Sequence, residues 1–256
     1  MSKSVLAAQL FTLRDFCKTI PEIAETMKKV ADIGYEAVQL SGIGPVDPQE
    51  LAKVISDNGL TIAATHVEWN QFLNDLDTVI EEHKLWNCTH PAIGGLPIDY
   101  YSAEGLKRFV DELGGVAEKL VKAGMDFSYH NHSHEFGRYG GKTWLEMLYE
   151  QTAPEHLKAE IDTYWIQHGG GDPAEWIRKC AGREPLLHLK DMAIEPPKEQ
   201  RFAEVGEGNL NWSAILTAAA ESGVEWYIVE QDLCYERSPF ECLAISYRNL
   251  KQMGLS

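Results

Sequence analysis

The sequence predicts an α/β protein, a single (β/α)8 barrel covering residues 1–256 as one domain. Three observations predict it. Eight short apolar or β-branched runs alternate with amphipathic stretches, which implies parallel strands joined by right-handed crossovers. A length of 256 residues suits one closed barrel. The first strand–helix turn lacks a G-x-G-x-x-G, so a dinucleotide-binding sheet has no support.

The runs are Val5–Phe11, Ala37–Leu40, Thr61–His66, Thr89–Ile93, Phe127–His132, Leu157–Thr163, Leu186–Leu189 and Trp226–Glu230. Between them, stretches such as IPEIAETMKKVADIG return apolar residues at three and four, the period of a helix with one buried face. Pro21-Glu22 and Asp47-Pro48 read as helix starts, with proline in the first turn. Gly34, Gly59, Gly124 and Gly223 stand a few residues before the next strand, where a left-handed residue closes a helix. Two stretches read as flexible loops, His168–Gly171 and the PPKEQ segment around Pro196–Pro197. Neither separates domains.

Composition excludes several classes. With 23 Lys+Arg against 39 Asp+Glu the formal charge is −16, which disfavours nucleic acid and anionic membrane surfaces as partners. No apolar run approaches the roughly 20 residues of a membrane helix, and the first residues reach Arg14 and Asp15 too soon for a signal-peptide core. The five cysteines are scattered without a C-x-x-C pair, so they read as small buried residues of a reducing, cytoplasmic compartment.

In such a barrel the chemistry belongs at the C-terminal ends of the strands. Those ends are polar after apolar interiors: Gln39, His66 with Glu68, His90, His130 with His132, Asp162, His188 with Lys190, and Glu230 followed by Gln231 and Asp232. Asp162, His188 and Glu230 come from consecutive strands and converge on one side of the mouth. Two carboxylates and an imidazole suit Mn²⁺, Co²⁺, Zn²⁺ or Mg²⁺. Strand five offers His130 and His132 on one face for a fourth ligand. Lys190 shares the face of His188 and is read either as a holder of a substrate oxygen or as one end of a salt bridge. Gln39, His66, His90 and Trp165 are the candidate substrate-binding residues, Trp165 as a stacking surface beside Trp69 and Trp212. The Val205–Trp212 segment reads as a tight loop at the mouth, either closing over a ligand or simply turning. His83, His156 and His168 read as solvated.

At these residues the chain resembles the xylose isomerase-like TIM-barrel superfamily of sugar phosphate isomerases and epimerases. The likeness runs through Gln9–Asp15, Gly34–Gln39, Tyr129–Phe136, Asp162-Thr163, His188–Asp191, Gly206–Gly208 and Val229–Asp232. It is greatest with the branch that includes 2-keto-myo-inositol dehydratase. The resemblance implies one divalent metal held by Glu, Asp, His and Glu at the ends of strands five to eight. The last three fall on Asp162, His188 and Glu230. The first falls on Ser128, so His130 takes the metal, Glu135 reaches back from the loop, or the site has three protein ligands.

The chemistry implied is proton abstraction beside a carbonyl of a sugar or keto-sugar through a metal-stabilised enediolate. Glu230, His132 or His130 is the base, and Lys190 and Glu135 are further catalytic candidates. Loss of a β-hydroxyl from the same enediolate makes a dehydratase of an inosose or keto-sugar, and a catalytically degenerate sugar-binding barrel is the alternative of another class. A DNA-repair endonuclease is disfavoured by the acidic charge, and no basic cluster marks a phosphate pocket. Since related barrels often pair, a homo-oligomer stays open.

Overall fold

In the computed structural model, which describes residues 4–255, eight parallel strands close into a barrel. They are β1 (Val5–Gln9), β2 (Ala37–Leu40), β3 (Thr61–His66), β4 (Pro91–Ile93), β5 (Ser128–His130), β6 (Lys158–Asp162), β7 (Leu186–Leu189) and β8 (Trp226–Val229), in chain order around the ring. Pairing of Val5 with Trp226 and of Ala7 with Ala37 joins β1 to both neighbours, so the barrel itself has no free edge. Among the described residues ten α-helices follow the strands: α1 (Ile20–Ile33), α2 (Pro48–Asp57), α3 (Trp69–Asn74), α4 (Leu76–Leu85), α5 (Ala103–Lys122), α6 (Trp144–Gln151), α7 (Thr163–His168), α8 (Pro173–Lys179), α9 (Trp212–Ser222) and α10 (Pro239–Gln252). Among the described residues no helix is long and apolar enough to cross a membrane.

The helix boundaries follow local chemistry. Thr19 and Glu22 form a capping box at α1, and the Asp47 carboxylate accepts from the amides of Gln49 and Glu50 at α2. Gly34 ends α1 at φ 120°, and a Cβ there would lie 2.6 Å from the Tyr247 ring. Alternation along the strands gives the lumen two tiers. Ala7, Ala37, Ala64, Leu186 and Ile228 pack its floor. Two residues further along the same strands stand Gln9, Gln39, His66, His188 and Glu230, all facing the mouth.

Three expectations need correction. The PPKEQ segment is no free loop: it lies at the turn of an antiparallel hairpin, Asp191–Glu195 with Glu199–Ala203. Trp69 is core, packed on Phe72, Phe109 and Phe127, and Trp212 gives its indole N–H to Asp191, so neither offers a stacking face. His83 is fully buried rather than solvated, with Nε2 2.7 Å from Thr65 Oγ1 and Nδ1 2.7 Å from the Val79 carbonyl.

Burial pulls the His83 pKa down to about 4. The unfolded chain takes up that proton below its ordinary value while the folded chain refuses it, so stability falls as pH drops from about 6.5 towards 4. Between pH 7 and pH 5 the wild type is expected to lose roughly 2 kcal/mol more than His83→Gln. Urea unfolding at the two pH values checks this; equal losses in both proteins sink it.

Candidate active site

The polar tier of the barrel opens into a cavity of about 290 Å³ lined by Phe11, Ser41, Gly42, His66, Val67, Glu68, Gly94, Gly95, His130, His132, Lys190, Glu230 and Asp232. At its floor His130, Asp162, His188 and Glu230 each direct one ligand atom into a group whose members all lie within 4.8 Å of one another. β5, β6 and β7 and the end of β8 supply them, one from each, because the terminal inward position of each strand carries a metal-competent side chain.

A divalent ion fits this donor set. Two imidazoles and two carboxylates are buried together, and they match the preference of Mn²⁺, Co²⁺ or Zn²⁺ for mixed nitrogen and oxygen ligands. Oriented second partners complete the arrangement. His188 Nε2 donates to Gln39 Oε1 at 2.7 Å, which turns Nδ1 towards Glu230 Oε2 at 3.0 Å. Gln39 is itself held, accepting from Gln9 Nε2 at 2.8 Å and donating to Glu160 Oε1 at 2.7 Å.

A lysine ammonium already sits against the group. Lys190 Nζ lies 3.0 Å from Asp162 Oδ2, 2.7 Å from Glu230 Oε2 and 2.9 Å from Asp232 Oδ1. Burial opposes its charge, but those three carboxylates hold its pKa above the ordinary lysine value. Burial likewise opposes ionisation of Glu230 and Asp162, and Lys190 and the histidines outweigh it, keeping both below the usual carboxylate range. Burial opposes protonation of His188, while Glu160 and Glu230 raise it to about 10. An ion held by these four residues would displace the His188 proton and draw Asp162 and Glu230 away from the Lys190 ammonium.

The remaining sequence-predicted residues divide. His66 and His132 line the cavity, and His132 has a buried Nδ1 without a partner. Trp165 stands beside it, its ring 5.3 Å from that of His132 and 5.5 Å from Lys190 Nζ.

Gln39, Glu135 and His90 depart from their expected places. Gln39 is fully buried with both ends of its amide committed beneath His188, so it is a support and not a surface for substrate. Glu135 neither joins the four-residue group nor lines the cavity. The outward-facing Tyr129 hydroxyl donates to it at 2.9 Å and the His132 amide at 2.9 Å, which locks it behind the strand and pins the loop. Burial raises its pKa to about 7. His90 stands at the wrong end: the ladder starts at Pro91, and the His90 ring lies 6.4 Å from Trp226, the first residue of β8. Its Nδ1 is 3.7 Å from Asp126, which precedes β5.

Glu160 is not at a strand end, where the sequence points, but two places before Asp162 in β6. It is fully buried, faces the same way as Asp162, and meets His66, His188 and Gln39. Asp232, just beyond the end of β8, lines the cavity and holds Lys190.

A family model described as "Xylose isomerase-like TIM barrel" matches residues 27–237. An inosose dehydratase of Geobacillus kaustophilus is 22% identical over 248 residues, covering 81% of this chain and 79% of its own. Another, from Geobacillus thermodenitrificans, is 25% identical over 149 residues, so the match spans about half of each protein, 52% and 49%. A sugar phosphate isomerase/epimerase from Parabacteroides distasonis superposes with a TM-score of 0.83 at 23% identity, covering 100% of this chain and 96% of that one. An L-ribulose 3-epimerase superposes at 0.75 with 17% identity, covering 98% and 94%.

Proposed function

The chain belongs to the xylose isomerase-like TIM-barrel family, and from that premise we propose that it is a divalent-metal-dependent sugar isomerase or epimerase that enolises a small keto-sugar. The observation that carries the reading is the convergence of His130, Asp162, His188 and Glu230 on one point at the floor of the cavity. These four would hold the ion, whose contribution there is to polarise the substrate carbonyl and lower the cost of enediolate charge.

The chain's own residues do the rest. The cavity of about 290 Å³ sits at the small end of ligand pockets, a size for a monosaccharide ring. Lys190 is the cationic side chain among its lining residues, and three carboxylates already share it, which favours a sugar without a phosphate. Freed from Asp162 and Glu230, its ammonium donates to a substrate oxygen while Asp232 keeps it in place. His132 accepts the proton from the carbon beside the carbonyl, since its ring lines the cavity and burial, with His130 and Lys190 beside it, keeps it an uncharged imidazole. Trp165 is not among the lining residues; it packs behind them, its ring 5.3 Å from that of His132.

A dehydratase acting on an inosose or keto-sugar is the second reading, favoured by the two Geobacillus relatives, both inosose dehydratases. Both outcomes share the enediolate and part only in where the next proton goes. Inososes, 3-keto-sugars and free ketoses offered in D₂O with Mn²⁺ or Co²⁺ test the reading. Deuterium is expected at one carbon beside the carbonyl, with exchange abolished by a chelator; loss of water selects the dehydratase. No exchange with any of these compounds defeats the proposal in favour of a non-catalytic sugar-binding barrel.

A further inference from the structure

We propose that His66, backed by the buried Glu160 carboxylate, is the proton donor that completes the reaction His132 begins. This deepens the enolisation reading and rests on it. His66 ends β3 and lines the cavity, with Nε2 2.8 Å from Glu160 Oε2. A carboxylate only accepts, so Nε2 carries the hydrogen of that bond and Nδ1 is left for the substrate side. Glu160 is fixed in turn, its Oε1 accepting from Gln39 Nε2 at 2.7 Å and lying 3.2 Å from His188 Nε2. A buried carboxylate behind an imidazole sets the tautomer, orients the ring and supports the charge the ring carries when Nδ1 is protonated.

The loop after β4 is cut to suit these rings. A Cβ on Gly94 would lie 2.8 Å from His66 Nδ1, and one on Gly95 would lie 3.7 Å from His132 Cε1. Both glycines line the cavity, and side chains there would fill the space in front of the two imidazoles. The His66 and His132 ring centroids lie 5.0 and 4.9 Å from that of His130. The site therefore has two imidazoles, on β3 and just beyond β5, each beside its proposed metal ligand.

The step balances without any oxidant. His132 takes the proton from the carbon beside the carbonyl, and the C–H electron pair becomes the C=C of the enediolate as the carbonyl pair moves to oxygen. The His66 Nδ1–H then returns a proton to the opposite face of that carbon, re-forming C–H and C=O and giving the epimer. In the dehydratase reading the same proton goes to the β-hydroxyl: its C–O bond breaks, water leaves, C=O re-forms and the double bond moves one carbon along. In both cases His132 ends protonated and His66 neutral, and solvent resets the pair.

The test separates the two half-reactions, with 2-keto-myo-inositol and free ketoses as probes in D₂O with Mn²⁺. His66→Ala is expected to keep hydrogen–deuterium exchange within about tenfold of wild type while product formation falls by about 100-fold or more. Added imidazole is expected to restore product formation in that variant. Glu160→Gln should show the same split with a loss of about 10- to 100-fold, and the double variant should be no slower than His66→Ala, as for groups acting as one unit. Gly94→Ala, whose methyl would lie 2.8 Å from His66 Nδ1 and 3.0 Å from its Cγ, displaces that ring and should reproduce the split. Parallel loss of exchange and turnover in His66→Ala and Gly94→Ala, or unchanged product formation in either, overturns the assignment. Absence of exchange in the wild type overturns the enolisation reading itself, and this inference with it.

Discussion

Asp162→Asn is expected to lose tight Mn²⁺ binding and to cut α-proton exchange by more than about 100-fold, with the barrel still folded. Asp162 is the hub of the four-residue group: Oδ2 lies 3.3 Å from His130 Nε2, 3.8 Å from His188 Nδ1 and 3.0 Å from Lys190 Nζ. Asparagine keeps an oxygen for the Trp165 amide, which Asp162 Oδ1 caps at 3.0 Å, so α7 keeps its start. What the variant loses is the negative charge that makes a divalent ion welcome among two imidazoles and a lysine. An amide N–H₂ turned towards that centre also offers a donor where a ligand is needed.

Thermal melts read this without any substrate. At Mn²⁺ about 100 times the dissociation constant, the wild type should gain about 2.7 kcal/mol, a shift of several degrees in Tm, and the variant none. Titration calorimetry checks the same point directly. A variant that binds one equivalent of Mn²⁺ with wild-type affinity would remove Asp162 from the metal centre and leave the ammonium of Lys190 as the cation of the site.

How far all this was legible in the sequence depends on whether a feature is local. The alternation of strand and helix, the start of α2 at Asp47 and the stop of α9 at Gly223 are written within a few residues of one another, and the barrel follows from them. The juxtaposition of His130, Asp162, His188 and Glu230 was also legible, because strand ends in a closed barrel must meet. Long-range partners were not. Nothing around Gln39 announces that Gln9, Glu160 and His188 take up its amide, and nothing in the SHEF segment says that Tyr129 draws Glu135 outwards. His90 went astray for a simpler reason. The apolar run Thr89–Ile93 has no marked direction of burial, and moving its hydrogen-bonded part to Pro91–Ile93 puts the histidine at the opposite end of the barrel. His83 sits in an otherwise polar turn of α4, and its burial depends on the Thr65 hydroxyl across from it as well as on the Val79 carbonyl of its own helix.

Asp191 carries the largest expected effect on stability. Its carboxylate is fully buried and accepts five donors: Oδ1 from the amides of Met192 at 2.8 Å and Leu210 at 3.1 Å, and Oδ2 from Gly206 at 2.9 Å, Gly208 at 3.1 Å and Trp212 Nε1 at 2.6 Å. The Gly206–Gly208 turn is thus a clasp around one carboxylate, and a Cβ on Gly208 would collide with that carboxylate. Asparagine has one acceptor oxygen in place of two. Whichever way its amide is turned, at least two buried N–H groups then face another donor, at about 1–3 kcal/mol each. Asp191→Asn is therefore expected to lose roughly 3–5 kcal/mol and to melt roughly 10 °C lower. Faster hydrogen exchange should be concentrated at the amides of Gly206, Gly208 and Leu210. Lys190 is the preceding residue and its amide is held by Thr163 Oγ1 at 3.0 Å, so loosening this corner reaches the ammonium beside Glu230 and turnover falls with it. Melting within 2 °C of wild type, with those amides still protected, would mean that the loop is held by its own turn geometry and that Asp191 merely fills the space.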